Sequence, residues 1–163
     1  MKKVLFLLLV LAGVLYLPAC GQEPESEPEN KSYGMEERAV TAFLEYKVTA
    51  ATSRQNYHGA RAQSGHQLVV AEVTIWNTED YTLPMSRYDF RLQWGDGPED
   101  YSYPVAWYCP TQLADEYDIP EGEQAQGELV FRVPNTERDM ALGFLEVFED
   151  GSQGDAHFIY FTV

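Results

Sequence analysis

The sequence predicts an all-β domain, a sandwich or barrel of short antiparallel strands, and three observations predict it. Apolar residues recur with a period of two in run after run. Glycine, proline, asparagine and aspartate punctuate those runs at short intervals. The runs themselves are rich in β-branched and aromatic residues, which suit a half-buried pleated surface.

Taken in order, Val40 to Ala50 separates into an apolar set (Val40, Ala42, Leu44, Tyr46, Val48, Ala50) and a more polar one. Val69, Ala71, Val73 and Ile75 alternate with Val70, Glu72 and Thr74. In Arg87 to Trp94 the alternation predicts Tyr88, Phe90, Leu92 and Trp94 facing the core and Arg87, Asp89, Arg91 and Gln93 facing water. Tyr103, Val105, Trp107 and Cys109 continue the pattern, as do Leu129, Phe131 and Val133, and finally Ile159, Phe161 and Val163. Gly95-Asp96-Gly97-Pro98, Pro120-Glu121-Gly122, Pro134-Asn135 and Asp150-Gly151 supply the turns. Two stretches read both ways. Met140, Phe144, Val147 and Phe148 have helical spacing, which Gly143 weakens, and Thr111 to Tyr117 could hold one helical turn. No internal repeat and no second-domain boundary is visible.

The N-terminus reads as a targeting segment. Lys2 and Lys3 precede an uncharged, mostly apolar run from Val4 to Leu17, shorter than the roughly 20 residues that span a bilayer. It ends in Leu17-Pro18-Ala19-Cys20-Gly21. This resembles a bacterial lipobox, with Ala19 as the small residue before the cut and Pro18 where the pattern has Ala, Ser or Thr. The resemblance implies a signal peptide over residues 1–19, a lipid on the sulfur of Cys20, and attachment to the cell membrane on its extracytoplasmic face. Two or more acyl chains, at about 0.8 kcal/mol per buried methylene, make a stable anchor. Gln22 to Ser32 is acidic, carries prolines and lacks any large apolar side chain, so residues 20–38 are expected to form the lipidated cysteine and an extended acidic tether. Residues 39–163 then form the domain, long enough for a real core.

The formal charge is −15, and loss of Lys2 and Lys3 with the signal takes it to −17. So acidic a surface opposes nucleic acid and anionic headgroups. It serves solubility, or a cationic partner. With Cys20 lipidated, Cys109 has no intramolecular partner and is expected to act as a small buried hydrophobe, so the domain must stand without a disulfide.

Several segments together carry a second resemblance. Trp76-Asn77-Thr78 ends one strand, Tyr88-Asp89-Phe90-Arg91-Leu92 follows, and Ile119-Pro120-Glu121-Gly122 precedes Gly127-Glu128-Leu129-Val130-Phe131-Arg132-Val133-Pro134. This order resembles the telokin-like, immunoglobulin-fold domains of many bacterial lipoproteins, from about Ala39 to the C-terminus. It implies an immunoglobulin-like antiparallel β-sandwich and licenses no catalytic claim, because the fold hosts many functions.

No catalytic constellation emerges. His58, His66 and His157 lie far apart in sequence, no cysteine pair supports zinc, and there is no phosphate loop or nucleophile elbow. No enzyme and no cofactor is expected. Two acidic loops place oxygen ligands beside glycines, as calcium sites do: Asp96, Glu99 and Asp100 in one, Asp150 and Asp155 in the other. Turn chemistry explains the same residues. The cluster Tyr101, Tyr103, Trp107 and Tyr108 offers a sticky surface for a partner, or else covers the core. The expected function is a non-catalytic interaction module held at the membrane by Cys20. The alternatives are a lipoprotein that binds a small ligand or cation, and a hydrolase with an unrecognised site.

Overall fold

The computed structural model describes residues 27–106 and 109–163. The expected signal peptide, Cys20, the first part of the tether, Trp107 and Tyr108 lie outside the described residues. Among the described residues thirteen strands follow in order: β1 (Asn30–Gly34), β2 (Ala39–Val40), β3 (Leu44–Arg54), β4 (Asn56–Tyr57), β5 (Ala60–Arg61), β6 (His66–Asn77), β7 (Leu83–Ser86), β8 (Phe90–Gln93), β9 (Tyr101–Ser102), β10 (Glu116–Ile119), β11 (Gln124–Pro134), β12 (Asp139–Val147) and β13 (Gln153–Thr162). One sheet has the order β1-β13-β12-β8-β9 and the other β11-β6-β3-β2, with two-stranded ribbons β10-β7 and β4-β5 beside them. All pairings among named strands are antiparallel except β1 with β13. The all-β sandwich predicted from periodicity is the fold observed.

Between the sheets lies the core. From the four-stranded sheet come Leu44, Tyr46, Val48, Val69, Ala71, Val73, Ile75, Leu129, Phe131 and Val133. Phe90, Leu92, Met140, Leu142, Phe144, Ile159 and Phe161 meet them from the five-stranded sheet. Each set occupies alternate positions of its strand, as a pleated sheet requires. Rings of Tyr46, Phe90 and Phe144 meet edge-on or tilted at 5.3 to 6.1 Å between centroids. The buried Tyr46 hydroxyl donates across the sandwich to the carbonyl of His157 at 2.8 Å. That bond ties one sheet to the other and satisfies a polar group that burial would otherwise penalise.

Asn77 ends β6 by closing the connection to β7. Its Nδ2 donates to the carbonyls of Tyr81 and Ile119 at 2.7 and 2.9 Å, and its Oδ1 accepts from the Glu79 amide at 2.8 Å.

Three expectations are corrected, and the two stretches that read both ways are decided. The run Val40 to Ala50 is not one strand: it is broken by a turn in which the Thr41 hydroxyl accepts from the amides of Phe43 and Leu44. Before that turn Ala39, not Val40, faces the core, and Val40 is 54 % exposed. Arg87 and Tyr88 exchange their expected sides. Ser86 caps a single 3-10 turn over Arg87–Asp89, with its hydroxyl accepting from the Tyr88 amide and the Asp89 carboxylate accepting from the Ser86 amide. The turn rotates Arg87 inward to an ion pair with Asp115 at 2.5 Å and leaves Tyr88 outside. Residues 103–106 form no strand. Thr111 to Tyr117 forms no helix: it turns at Cys109 and then lies along β11 through a parallel bridge between Gln112 and Glu128. The helical spacing around Met140 belongs to a strand, β12, because β13 and β8 flank it on both sides.

The domain also begins earlier than residue 39. Asn30–Gly34 of the expected tether pairs with Ala156–Tyr160 of β13. An edge strand of this kind needs no apolar alternation, because one partner's backbone holds it.

Candidate functional site

A polar cluster lies at the junction of β1, β12 and β13. Glu146 continues the inward phase of Met140, Leu142 and Phe144, and His157 that of Ile159 and Phe161, so both are buried. Among the described residues, Glu146, Asp155 and His157 are the one group whose metal-ligating atoms converge, all within 4.8 Å of one another. Each of those atoms already has a protein partner. Glu146 accepts from the amides of Ala42 and Asp155 at 2.7 and 2.9 Å and from His157 Nε2 at 3.0 Å. A carboxylate only accepts, so Nε2–H donates to Glu146, and Nδ1 lies 3.2 Å from the Tyr33 hydroxyl. Asp155 accepts from the Glu29 amide and pairs with Lys31 at 2.5 Å. The Lys31 ammonium, with the Glu29 amide, holds the Asp155 carboxyl below its usual range. The cluster fastens β1 to the sandwich.

Each predicted calcium loop is closed by its own hydrogen bonds. Asp100 accepts from the Gly97 amide, and Asp150 accepts from the amide and hydroxyl of Ser152, which lowers its carboxyl's proton affinity. Of the five acidic candidates only Asp155 joins the convergent group; Glu146 and His157 were not foreseen.

A second cluster lies on the outward face of the four-stranded sheet. Tyr57, Leu68, Val70, Cys109 and Val130 form a small apolar layer there, with Ala60, Ala62 and Val105 packed against it. Cys109 is buried, as expected of a small hydrophobe, yet its neighbours are polar. Its sulfur lies 3.1 Å from the Tyr57 hydroxyl and 3.0 Å from that of Thr111. Both hydroxyls also donate to the Glu128 carboxylate. Each hydroxyl has one hydrogen and gives it to Glu128, so toward the sulfur each oxygen is an acceptor. Burial pushes the Glu128 carboxyl up, and the Thr111 and Tyr57 hydroxyls outweigh it, so the carboxyl ends below its usual 4.5. A carboxyl lowered by folding contributes stability that is complete above the unfolded value and is lost as pH falls through the folded one. Glu128→Gln is therefore expected to lower the urea midpoint at pH 7, with the gap to the parent narrowing below about pH 4.5. A gap that stayed constant down to pH 3 would show that Glu128 contributes nothing through its charge.

The corresponding face of the five-stranded sheet is different. Outward positions of a solvated sheet are normally polar. Here β12 presents Ala141, Gly143, Leu145 and Val147, and β13 presents Ala156, Phe158 and Tyr160. Val147 is 56 % exposed, Tyr160 53 % and Leu145 39 %. The Phe158 ring lies over Gly143, where an added Cβ would come within 3.0 Å of it. Beside the face stand Tyr101 and Tyr103, both exposed, their rings meeting edge-on at 5.8 Å with the Arg91 guanidinium 5.5 Å from the Tyr101 ring. These are the two described members of the predicted tyrosine cluster. Two open depressions, of about 620 and 560 Å³, flank Phe158 and share it as a wall. Trp94, Asp96 and Tyr160 line the first; Tyr88, Tyr103, Leu145, Val147 and Phe148 line the second. Apolar surface gathered in this way marks contact sites.

Comparison with solved structures agrees with the sandwich. The ycdA protein of Bacillus subtilis, described as a candidate lipoprotein, superposes with a TM-score of 0.63 at 12 % identity over 77 % of this chain. The match spans only 38 % of that protein's length. The secreted protein MPT63 of Mycobacterium tuberculosis matches with a TM-score of 0.58 at 16 % identity, over 82 % of this chain and 98 % of its own. An uncharacterised β-sandwich protein of Clostridium difficile matches with a TM-score of 0.51 at 13 % identity, over 85 % of this chain and 98 % of its own. At these identities the likeness is one of fold. No curated protein matches the sequence. The profile of a domain of unknown function, DUF4352, matches residues 33–153, well over half of the sequence, and the chain belongs to that family.

Proposed function

We propose that this protein is a membrane-anchored, extracytoplasmic lipoprotein whose sandwich is a non-catalytic interaction module, and that the outer face of its five-stranded sheet is the contact surface. The observation that carries the reading is the uncovered apolar face of β12 and β13. The apolar part of the other sheet's outer face is roofed by Tyr57 and the segment around Val105 and Cys109, whereas Leu145, Val147 and Tyr160 have no such roof among the described residues. A candidate lipoprotein and a secreted protein among the structural neighbours support an extracytoplasmic place. So does the lipobox-like Leu17 to Gly21. The immunoglobulin-like, telokin-like resemblance licenses no catalytic claim, because the fold hosts many functions.

Two measurements on intact cells test it. Labelled fatty acid is expected to enter the parent protein and not Cys20→Ala, which should leave the membrane fraction. Chemical cross-linking followed by capture is expected to yield a reproducible protein partner for the anchored form. A Cys20→Ala protein that stayed on the membrane would remove the lipid anchor from the account, and a blank capture would remove the partner.

A further inference from the structure

The contact face is apolar, but the charge around it is one-sided. Asp89 and Glu149 line one depression, and Asp96 and Asp139 line the other. Among the lining residues the single basic side chain is Arg91, whose guanidinium is already placed over the Tyr101 ring. More acid arrives at the same end of the sheet. The Ala156 amide donates to the Glu29 carbonyl, so the chain enters beside the second depression, bringing the exposed Glu27 and Glu29 with it. The formal charge of the whole chain has the same sign.

Apolar floor and acidic rim together select a ligand chemistry. Contact with Leu145, Val147 and Phe158 requires apolar groups that leave water. The surrounding carboxylates repel phosphate-bearing polymers and anionic lipid, and attract lysine and arginine. The two depressions share Phe158 in their linings, and an extended segment, whose side chains on one edge repeat about every 7 Å, suits neighbouring depressions. We propose that this face binds a basic, apolar peptide segment of a partner protein, in which lysines or arginines flank aliphatic or aromatic residues. The proposal rests on this face being the contact surface named above.

Acidic substitution within the apolar floor separates seating in the groove from bulk attraction. Val147→Asp and Leu145→Asp add negative charge, which would strengthen a contact driven by charge alone, but they spoil an apolar seat. Both side chains are exposed, so the fold should tolerate them. Thr52→Asp, at an exposed position of β3 on the other sheet, is the matched control. The full lipidated chain in neutral phosphatidylcholine nanodiscs is titrated against fluorescent decapeptides, read by anisotropy. One peptide alternates Lys with Leu and Phe, one replaces every Lys by Glu, and one replaces every Leu and Phe by Ser.

The Lys–Leu/Phe peptide is expected to bind about tenfold or more tightly than either of the others. Val147→Asp should weaken it by a similar factor while Thr52→Asp does not. Equal binding of the Lys–Ser peptide, or tighter binding to Val147→Asp, would show bulk attraction and overturn the proposal. So would displacement of the peptide by excess neutral phosphatidylcholine vesicles, which would make the face a bilayer contact. If a photo-cross-linker at position 147 captures a partner in cells and the basic peptide still fails to bind, the partner chemistry is wrong and the contact surface stands. If both fail, the surface itself is wrong.

Discussion

Glu146→Ala is expected to lower the unfolding free energy by about 3–5 kcal/mol, the range for removing one partner of a buried charged network. The side chain points into the sandwich, where its two oxygens serve three donors: the amides of Ala42 and Asp155 and the ring of His157. Alanine would leave all three without an acceptor, and the fully buried His157 ring, shut off from water, carries the largest desolvation cost. The three donors belong to the β2–β3 turn and to β13, so one side chain joins both sheets. Glu146→Gln keeps one acceptor oxygen but turns an NH2 group toward a donor, and should fall between alanine and the parent. Urea unfolding at neutral pH, followed by tyrosine and tryptophan emission, measures the series. A loss below about 1 kcal/mol for alanine would show that the network contributes no more than one ordinary hydrogen bond.

The second large effect concerns where the domain begins. A chain starting at Ala39, the boundary that periodicity predicts, would lose β1. With it go the parallel ladder along Ala156–Tyr160, the Tyr33–His157 hydrogen bond and the Lys31–Asp155 pair. At about 1 kcal/mol for each hydrogen bond, the loss should reach about 3–5 kcal/mol. It also bares the β13 edge, whose unpaired backbone groups would template a second chain. A chain starting at Glu27 should melt as one cooperative unit and sediment as a monomer; the chain starting at Ala39 should melt many degrees lower and self-associate. Equal melting of the two would place β1 outside the cooperative unit.

What the sequence shows and what it hides divide along physical lines. Phe90, Leu92, Leu129, Phe131, Val133, Ile159 and Phe161 were legible because alternation reports burial on one face of a strand, and all are buried. Asn77 was legible because its side chain closes a turn locally. Strand β1 was not, since the edge of β13 holds it and no apolar pattern of its own does. Arg87 and Tyr88 reversed because a capped turn shifted the phase by local hydrogen bonding that alternation does not register. Met140, Phe144 and Val147 of β12 mix residues from both faces of the strand, and with Phe148 just beyond its end they imitate helical spacing. Read with period two, the same segment places Glu146 in phase with Leu142 and Phe144, and a carboxylate in that phase is the available sign of the buried network. Of the contact face, Tyr101 and Tyr103 were expected. Leu145, Val147 and Tyr160 were not, although apolar residues in both phases of β12 and β13 are the mark of a sheet with two covered faces.

The most direct test of the contact face is site-specific photo-cross-linking in living cells. A photoreactive amino acid is placed at position 147, on the outer face of β12, or at position 52 on the opposite sheet, in the full lipidated protein. The account predicts discrete adducts of constant size from position 147 and none from position 52. The same adducts from both positions, or adducts from position 52 alone, would contradict it.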